Sequence, residues 1–195
     1  MLNEVKAGLP ILTFPEQGAW EAWLRQHFSD AEGVWLKIAK KGARVMTVNY
    51  DEALEVALCF GWIDSQISAY DRQYYLHKFS LRRPKSKWSK VNREKAEALI
   101  AAGHMQPAGL KQVELARADG RWEAAYDPQS QIEVPEDLQR ELDLNPPAKA
   151  FFSSLNAVNR YAILHRIQDA KKPETRLARI WKFVEMLSRK EKIYP

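Results

Sequence analysis

Cysteine is the residue that this sequence contains least often. Cys59 is the single cysteine among 195 residues, so no disulfide can form within the chain. A chain without disulfides suits a reducing compartment. No apolar run approaches the roughly 18 to 20 residues that a membrane-spanning helix needs, and residues 1–18 lack the pattern of a secretory signal. We therefore expect a cytoplasmic protein with no membrane span.

The common motifs of metal, cofactor and nucleophile sites are absent as well. The four histidines are scattered, and the sequence has no CxxC pair, so nothing shows metal-ligand spacing. The eight glycines form neither GxGxxG nor GxxxxGK[ST], and no GxSxG nucleophile turn occurs. The sequence predicts no metal and no cofactor, and it does not favour a conventional enzyme.

Positive charge is concentrated in residues 72–95, the basic segment. It contains nine Lys or Arg against one acid, Glu94, and so carries +8, while the rest of the chain carries −3 of a net +5. Four of these cations stand on a Pro-containing loop before the next predicted helix: Arg82, Arg83, Lys85 and Lys87. Cations at a helix N-terminus oppose the helix dipole, whereas Ser86, Ser89 and the helix start would suit an anion's oxygens. The pattern therefore indicates an anion-binding loop.

Apolar periodicity predicts an α+β fold, with a small mixed or antiparallel sheet and helices followed by a helical C-terminal portion. Strands are expected at 9–14 and 33–42, helices at 15–28 and 48–61, and a β-hairpin with a three-residue loop at 62–83. Further helices are expected at 89–103 and 107–120, and from Pro135 onward. We place a boundary near Ser130, between a mixed α/β portion (1–130) with the hairpin and basic segment and a helical portion (131–195).

Two helices carry more detailed predictions. Asn49 and Glu52 can form a capping box, so Cys59 near the end of that helix is expected in or beside the core. The final helix, starting at Pro173, shows an apolar stripe that is expected to be buried. Its members are Leu177, Ile180, Trp181, Val184 and Leu187.

The hairpin defines the candidate ligand site. Pairing about the loop 71–73 places Asp64 opposite Ser80 and Trp62 opposite Arg82, so a carboxylate and a guanidinium can meet. Trp62 and Asp64 then share a polar-aromatic face that does not resemble a core face. The candidate site residues are Trp62, Asp64, Arg82, Arg83, Lys85, Lys87 and Trp88. An exposed salt bridge and a solvated charge run are the structural alternatives.

Three ligands fit this constellation. An anionic, phosphate-bearing small molecule would use the cations for its phosphate and an indole for a flat ring. A nucleic acid would bind through its backbone phosphates, with Trp62, Trp88, Tyr70 or Tyr74 stacking on bases. An acidic protein partner would meet the same charges. The first is our main hypothesis, and the sequence does not identify the ligand.

Four segments in order resemble one bacterial family over nearly the full length. They are "ALCFGWIDSQ", "FSLRRPKSKWSKVNREKAEALIAAGHMQPAGL", "ADGRWEAAY" and "NRYAILHRIQDAKKPETRLARIWKFVEML". The chain resembles the YdeI/OmpD-associated, or bacteriocin-protection, proteins. The resemblance implies a role in envelope stress or in bacteriocin or polymyxin resistance, and an outer-membrane porin partner, but it brings no catalytic residues. A porin partner would require export, which the N-terminal sequence does not predict.

Overall fold

The computed structural model describes residues 4–195. The described chain divides into two compact units: unit 1 contains residues 4–88 and 92–124, and unit 2 contains residues 89–91 and 125–195. The domain boundary near Ser130 stays a prediction. Among residues 4–195, no helix combines the length and the apolarity required to cross a membrane.

Five strands and eight helices make up the described chain. In chain order they are β1 (Val5–Lys6), β2 (Leu9–Leu12), α1 (Gln17–His27), β3 (Val34–Ala39), α2 (Tyr50–Cys59), β4 (Trp62–Ala69), β5 (Tyr74–Leu81), α3 (Lys90–Ala101), α4 (Pro107–Ala118), α5 (Glu136–Asp143), α6 (Pro146–Ser154), α7 (Ala157–Gln168) and α8 (Pro173–Ser188). All strands precede α3, and only helices follow it. The predicted α+β class is confirmed.

The strands form one mixed sheet in unit 1. Its order is β1-β2-β3-β5-β4, with β2 and β3 parallel and the other neighbours antiparallel. The parallel pair is joined through α1, as the crossover between parallel strands requires. The hairpin β4–β5 is antiparallel because its connection is short, and it places β4 at the sheet edge.

Helices α1 and α2 cover one face of this sheet. The register of β3 and β5 puts Val34 beside Phe79 and Leu36 beside His77 on that face. The Trp20 ring of α1 lies 6.1 Å from the Phe79 ring, and the Tyr50 ring of α2 stacks on His77 at 4.7 Å. The aromatic core of unit 1 therefore lies between the sheet and these two helices.

Helix α2 confirms the local predictions made for it. The Asn49 side chain accepts a hydrogen bond from the Glu52 backbone N–H at 3.0 Å, and the Glu52 carboxylate accepts one from the Asn49 N–H at 2.9 Å. This capping box satisfies two N–H groups at the helix start. Cys59 is buried, and burial, assisted by the charges of Glu21 and Glu55, raises the pKa of its thiol to about 11. The thiol is therefore protonated at neutral pH.

The hairpin register differs from the prediction at the strand ends far from the loop. Ala69 pairs with Tyr75, which keeps the predicted offset, but a β-bulge between Asp64 and Ile67 shifts the rest by one residue. Asp64 consequently faces Phe79 rather than Ser80, and Trp62 faces Leu81 rather than Arg82. The partners predicted for Asp64 and for Trp62 are therefore both wrong, because a bulge places an extra residue on one strand and changes every pair beyond it.

Unit 2 has its own hydrophobic core, formed by α5 to α8. Its α8 contributors are Ile180, Phe183, Val184 and Leu187. The predicted stripe is wrong at two positions, since Leu177 is 43% exposed and Trp181 is 56% exposed. At 3.6 residues per turn Trp181 lies roughly 100° around the helix from Ile180, outside the arc that the neighbouring helices cover.

Candidate functional site

Residues 82–88, the cationic loop, connect β5 to the start of α3 and carry most of the predicted site. Arg83, Lys85 and Lys87 are exposed, whereas Arg82 and Trp88 are buried. The Arg83 N–H donates to the Ser86 Oγ at 2.9 Å, and the Ser86 N–H donates back to the Arg83 carbonyl at 2.9 Å. This reciprocal turn closes the first half of the loop and fixes its backbone.

Arg82 holds the loop from inside. Its guanidinium carbon lies 3.5 Å from the centroid of the Trp88 ring, a cation–π contact that is strongest when water is excluded. Its Nη1 donates to the Lys87 carbonyl at 3.1 Å. Arg82 therefore joins the two ends of the loop and is a supporting residue rather than an exposed anion contact.

The end of α4 brings further cations to the same place. The Trp122 ring meets the Trp88 ring edge to face at 4.8 Å, and the Arg117 guanidinium lies 5.1 Å from the Trp122 ring. Arg121 donates through Nη1 to the Ser86 carbonyl at 2.8 Å. We call Arg82, Trp88, Arg93, Arg117, Arg121 and Trp122 the Arg–Trp cluster.

Within this cluster, two arginines serve mainly to support the backbone. Arg121 forms an ion pair with Asp119 at 2.7 Å while it holds the loop carbonyl, and Arg93 donates through Nη1 to the Trp122 carbonyl at 3.4 Å. Arg117 is exposed. The cationic loop is thus attached at several points to a buried indole pair, and it carries three exposed cations. A fourth exposed cation, Arg117, contacts the Trp122 ring of that pair.

Trp62 does not reach this site. It is completely buried, its Nε1 donates to the Phe28 carbonyl at 3.0 Å, and its ring meets those of Trp20 and Trp23 edge to face at 6.2 Å. The expectation that Trp62 lies on a ligand-facing surface is corrected: its indole is part of the core. Trp88 is buried too, so neither indole offers an open face for a flat ring.

Asp64 is held by a tyrosine and a histidine. The Tyr50 hydroxyl donates to the Asp64 Oδ2 at 3.0 Å, and the His77 Nε2 lies 3.5 Å from the same oxygen. Burial alone would raise the pKa of Asp64, but hydrogen bonds from His77, Tyr50 and Asn92 outweigh it and hold that pKa below its usual value. Asp64 therefore connects β4 to β5 and α2 as a carboxylate.

Two family models match the chain. One, described as a domain of unknown function (DUF8412), matches residues 12–112, which is just over half of the chain. The other, described as "Bacteriocin-protection, YdeI or OmpD-Associated", matches residues 131–190. The chain therefore belongs to the DUF8412 family, and its residues 131–190 are similar to the YdeI/OmpD-associated family. Searches of curated proteins and of solved structures found no significant match.

The two matches include only part of the Arg–Trp cluster. The DUF8412 match includes the cationic loop and Arg93, whereas Arg117, Arg121 and Trp122 lie between the two matched ranges. Sequence reasoning missed these three residues, although "ADGRWEAAY" is one of the segments that carry the family resemblance. The signal that could have found them is the Arg121-Trp122 pair in that segment, since the loop also combines arginine with tryptophan in Arg82 and Trp88. The stress and resistance roles that the resemblance implies stay predictions.

The Asp64 contacts predict a pH dependence. A carboxylate whose pKa is lower in the folded than in the unfolded chain contributes stability above its unfolded pKa of about 3.9 and loses it as the pH falls through the folded value. We expect Asp64→Asn to reduce the free energy of unfolding at pH 7 by about 1–3 kcal/mol. The deficit should shrink as the pH falls from 5 toward 3 in urea titrations. A deficit that stays constant or grows over this range would contradict the assignment.

Proposed function

We propose that this protein binds a phosphate-bearing anionic ligand at the cationic loop, with Arg83, Lys85 and Lys87 as the contacting residues and Arg117 beside them. The observation that carries the proposal is the construction of the loop. A buried Arg82–Trp88 stack and the Arg121 bond to the Ser86 carbonyl hold three exposed cations in one short segment. Arg82 and Trp88 shape the site, and Trp62 and Asp64 lie outside the proposed contact set.

Two physical arguments support this proposal. Like charges held close together repel one another, and an anion removes that cost when it binds. A loop whose backbone is fixed before binding also loses less conformational entropy when the ligand arrives. Arginine and lysine donors suit phosphate oxygens in particular, since charge-assisted hydrogen bonds are the strong ones.

The burial of both indoles narrows the ligand chemistry. Because Trp62 and Trp88 are buried, recognition at this loop would rest on phosphate groups rather than on a stacked base or other ring. A nucleic acid is the second candidate, since exposed cations on a loop suit a phosphate backbone that extends beyond the loop. An acidic protein is the third.

The test replaces Arg83, Lys85 and Lys87 together by Ala. Thermal unfolding would be measured with inorganic phosphate, sugar phosphates, nucleotides, and short DNA and RNA at two salt concentrations. A ligand at 100 times its dissociation constant stabilises the native chain by about 2.7 kcal/mol. We expect the triple variant to bind at least roughly tenfold more weakly and, for DNA, to show a salt slope shallower by about 2 to 3.

The matched control removes three exposed cations of unit 1 elsewhere, Lys41, Arg44 and Lys111, and should bind as the native chain does. A selective shift from one small phosphate compound identifies a small ligand, and shifts from DNA and RNA that vanish at high salt identify a nucleic acid. Equal loss of binding in both triple variants would show that binding depends on the net charge of the chain and not on the cationic loop. No shift from any phosphate compound would overturn the proposal and leave an acidic protein as the partner.

A further inference from the structure

Unit 2 contains a groove between residues 127–136 and helix α7. Its larger part has a volume of about 610 Å³, within the range of ligand-binding clefts. A smaller part of about 310 Å³ shares two lining residues with it, Ile132 and Leu164. The two parts therefore adjoin along an apolar floor formed by these two side chains.

The charges along the larger part do not balance. Lys90 is paired with Asp127, and the Arg176 guanidinium forks onto Asp137 with bonds of 2.5 and 2.9 Å. These hydrogen bonds hold the pKa of both aspartates below the usual value, so both pairs persist as ion pairs at neutral pH.

Two acids remain uncompensated in the same lining. Glu133 and Glu136 are exposed, and neither forms an ion pair with any residue in the range 4–195. The larger part of the groove thus presents two free carboxylates in a chain whose net charge is +5. The smaller part is different, since its charged residue is Arg160, whose guanidinium lies 5.1 Å from the Phe152 ring.

The backbone along this wall is irregular, and part of it is unpaired. Residues 132–135 belong to no helix or strand, and their burial alternates from Ile132 (partly buried) to Glu133 (exposed) to Val134 (partly buried). The N–H and C=O groups of Glu133 and Val134 have no hydrogen-bond partner within the described chain. Free backbone groups beside a groove can form hydrogen bonds with the backbone of a bound peptide.

We propose that this groove binds an extended peptide with basic side chains. The peptide backbone would hydrogen-bond to the free N–H and C=O groups of Glu133 and Val134, and alternate side chains would enter the groove over Ile132 and Leu164. A basic side chain would lie beside Glu133 and Glu136. Backbone pairing supplies affinity, and the side-chain positions supply the preference for basic residues.

The test uses fluorescein-labelled hexapeptides and the full chain, with binding followed by anisotropy. The probe alternates Lys and Val, one control alternates Glu and Val, and another is the Lys-Val peptide with alternate backbone nitrogens methylated. We expect saturable one-to-one binding of the Lys-Val peptide only, and at least tenfold weaker binding of both controls. Because the chain carries a net positive charge, non-specific long-range attraction would favour the Glu-Val peptide, so it cannot explain tighter binding of the Lys-Val peptide.

A charge-reversal variant and hydrogen exchange locate the peptide. Glu133→Lys with Glu136→Lys should weaken binding of the Lys-Val peptide at least tenfold. The matched variant, Glu114→Lys with Glu174→Lys, reverses two exposed acids outside the groove and should leave binding unchanged. On binding, exchange at the amides of Glu133 and Val134 should slow. Absence of Lys-Val binding, equal binding of the methylated peptide, or unchanged exchange at these amides would overturn the proposal.

Discussion

Replacing Gly109 by Ala is expected to lower the free energy of unfolding by about 3 kcal/mol, at the upper end of what overpacking usually costs. Helix α4 approaches the end of α2 so closely at this point that a Cβ on Gly109 would lie 2.7 Å from the Leu58 carbonyl oxygen and would also overlap the Cys59 carbonyl. These neighbours are backbone atoms and cannot turn aside as a flexible side chain can. Urea denaturation measures the loss.

The matched control for Gly109 is Gly18 in α1, which like Gly109 lies in the first turn of its helix. Its Cβ would meet nothing nearer than the Glu16 Oε1 at 3.9 Å. Gly18→Ala should therefore stabilise the chain by up to about 0.5 kcal/mol, because alanine is the better helix former and the gain is smaller in the first turn than in a helix interior. If Gly109→Ala were as stable as Gly18→Ala, the close approach of α2 and α4 would be wrong.

Arg82→Ala is the second substitution with a large expected effect, again about 3 kcal/mol of lost stability. The truncation removes the stack on Trp88 and the hydrogen bond to the Lys87 carbonyl. It also leaves a gap where the buried side chain was packed. Because Arg82 joins the two ends of the cationic loop, the same substitution should weaken binding of phosphate compounds even where the chain is fully folded.

Arg83 provides the comparison, since it is adjacent, carries the same charge and is exposed. Arg83→Ala should change stability by less than about 0.5 kcal/mol while it weakens phosphate binding directly. Arg82→Lys should recover little of the lost stability, because an ammonium group lacks the planar stacking surface of a guanidinium. Equal stability of Arg82→Ala and Arg83→Ala would show that Arg82 does not support the loop.

Local signals in this sequence were sufficient for its helices. The capping box of Asn49 and Glu52 was predictable because it needs only residues three apart, and α8 starts at Pro173 as expected. The exposed side of α8 was not predictable to the same degree. Leu177 and Trp181 fit the apolar period, but which part of the stripe is covered depends on neighbours elsewhere in the chain.

The candidate site was predicted in part. The cationic loop was identified from its charge and its proline, and the structure places Arg83, Lys85 and Lys87 at the surface there. Arg82, by contrast, is buried against Trp88. The sequence could not predict this burial, because nothing in the run of basic residues distinguishes Arg82 from its neighbours. Trp122 was missed for a related reason: it contacts Trp88 from 34 positions away, and no periodicity in the sequence links the two.

The sequence by itself determined the order of strands and helices from β2 onward, the α+β class and the concentration of positive charge in residues 72–95, whereas the short strand β1 was not predicted. These properties depend on composition and on neighbours within a few positions. Only the tertiary structure decided the β-bulge that moved Asp64 to face Phe79, the burial of Trp62 and Trp88, and the convergence of α4 on the cationic loop. The physical reason is that register, burial and ion pairing depend on contacts between distant segments, and many such arrangements satisfy the same local pattern.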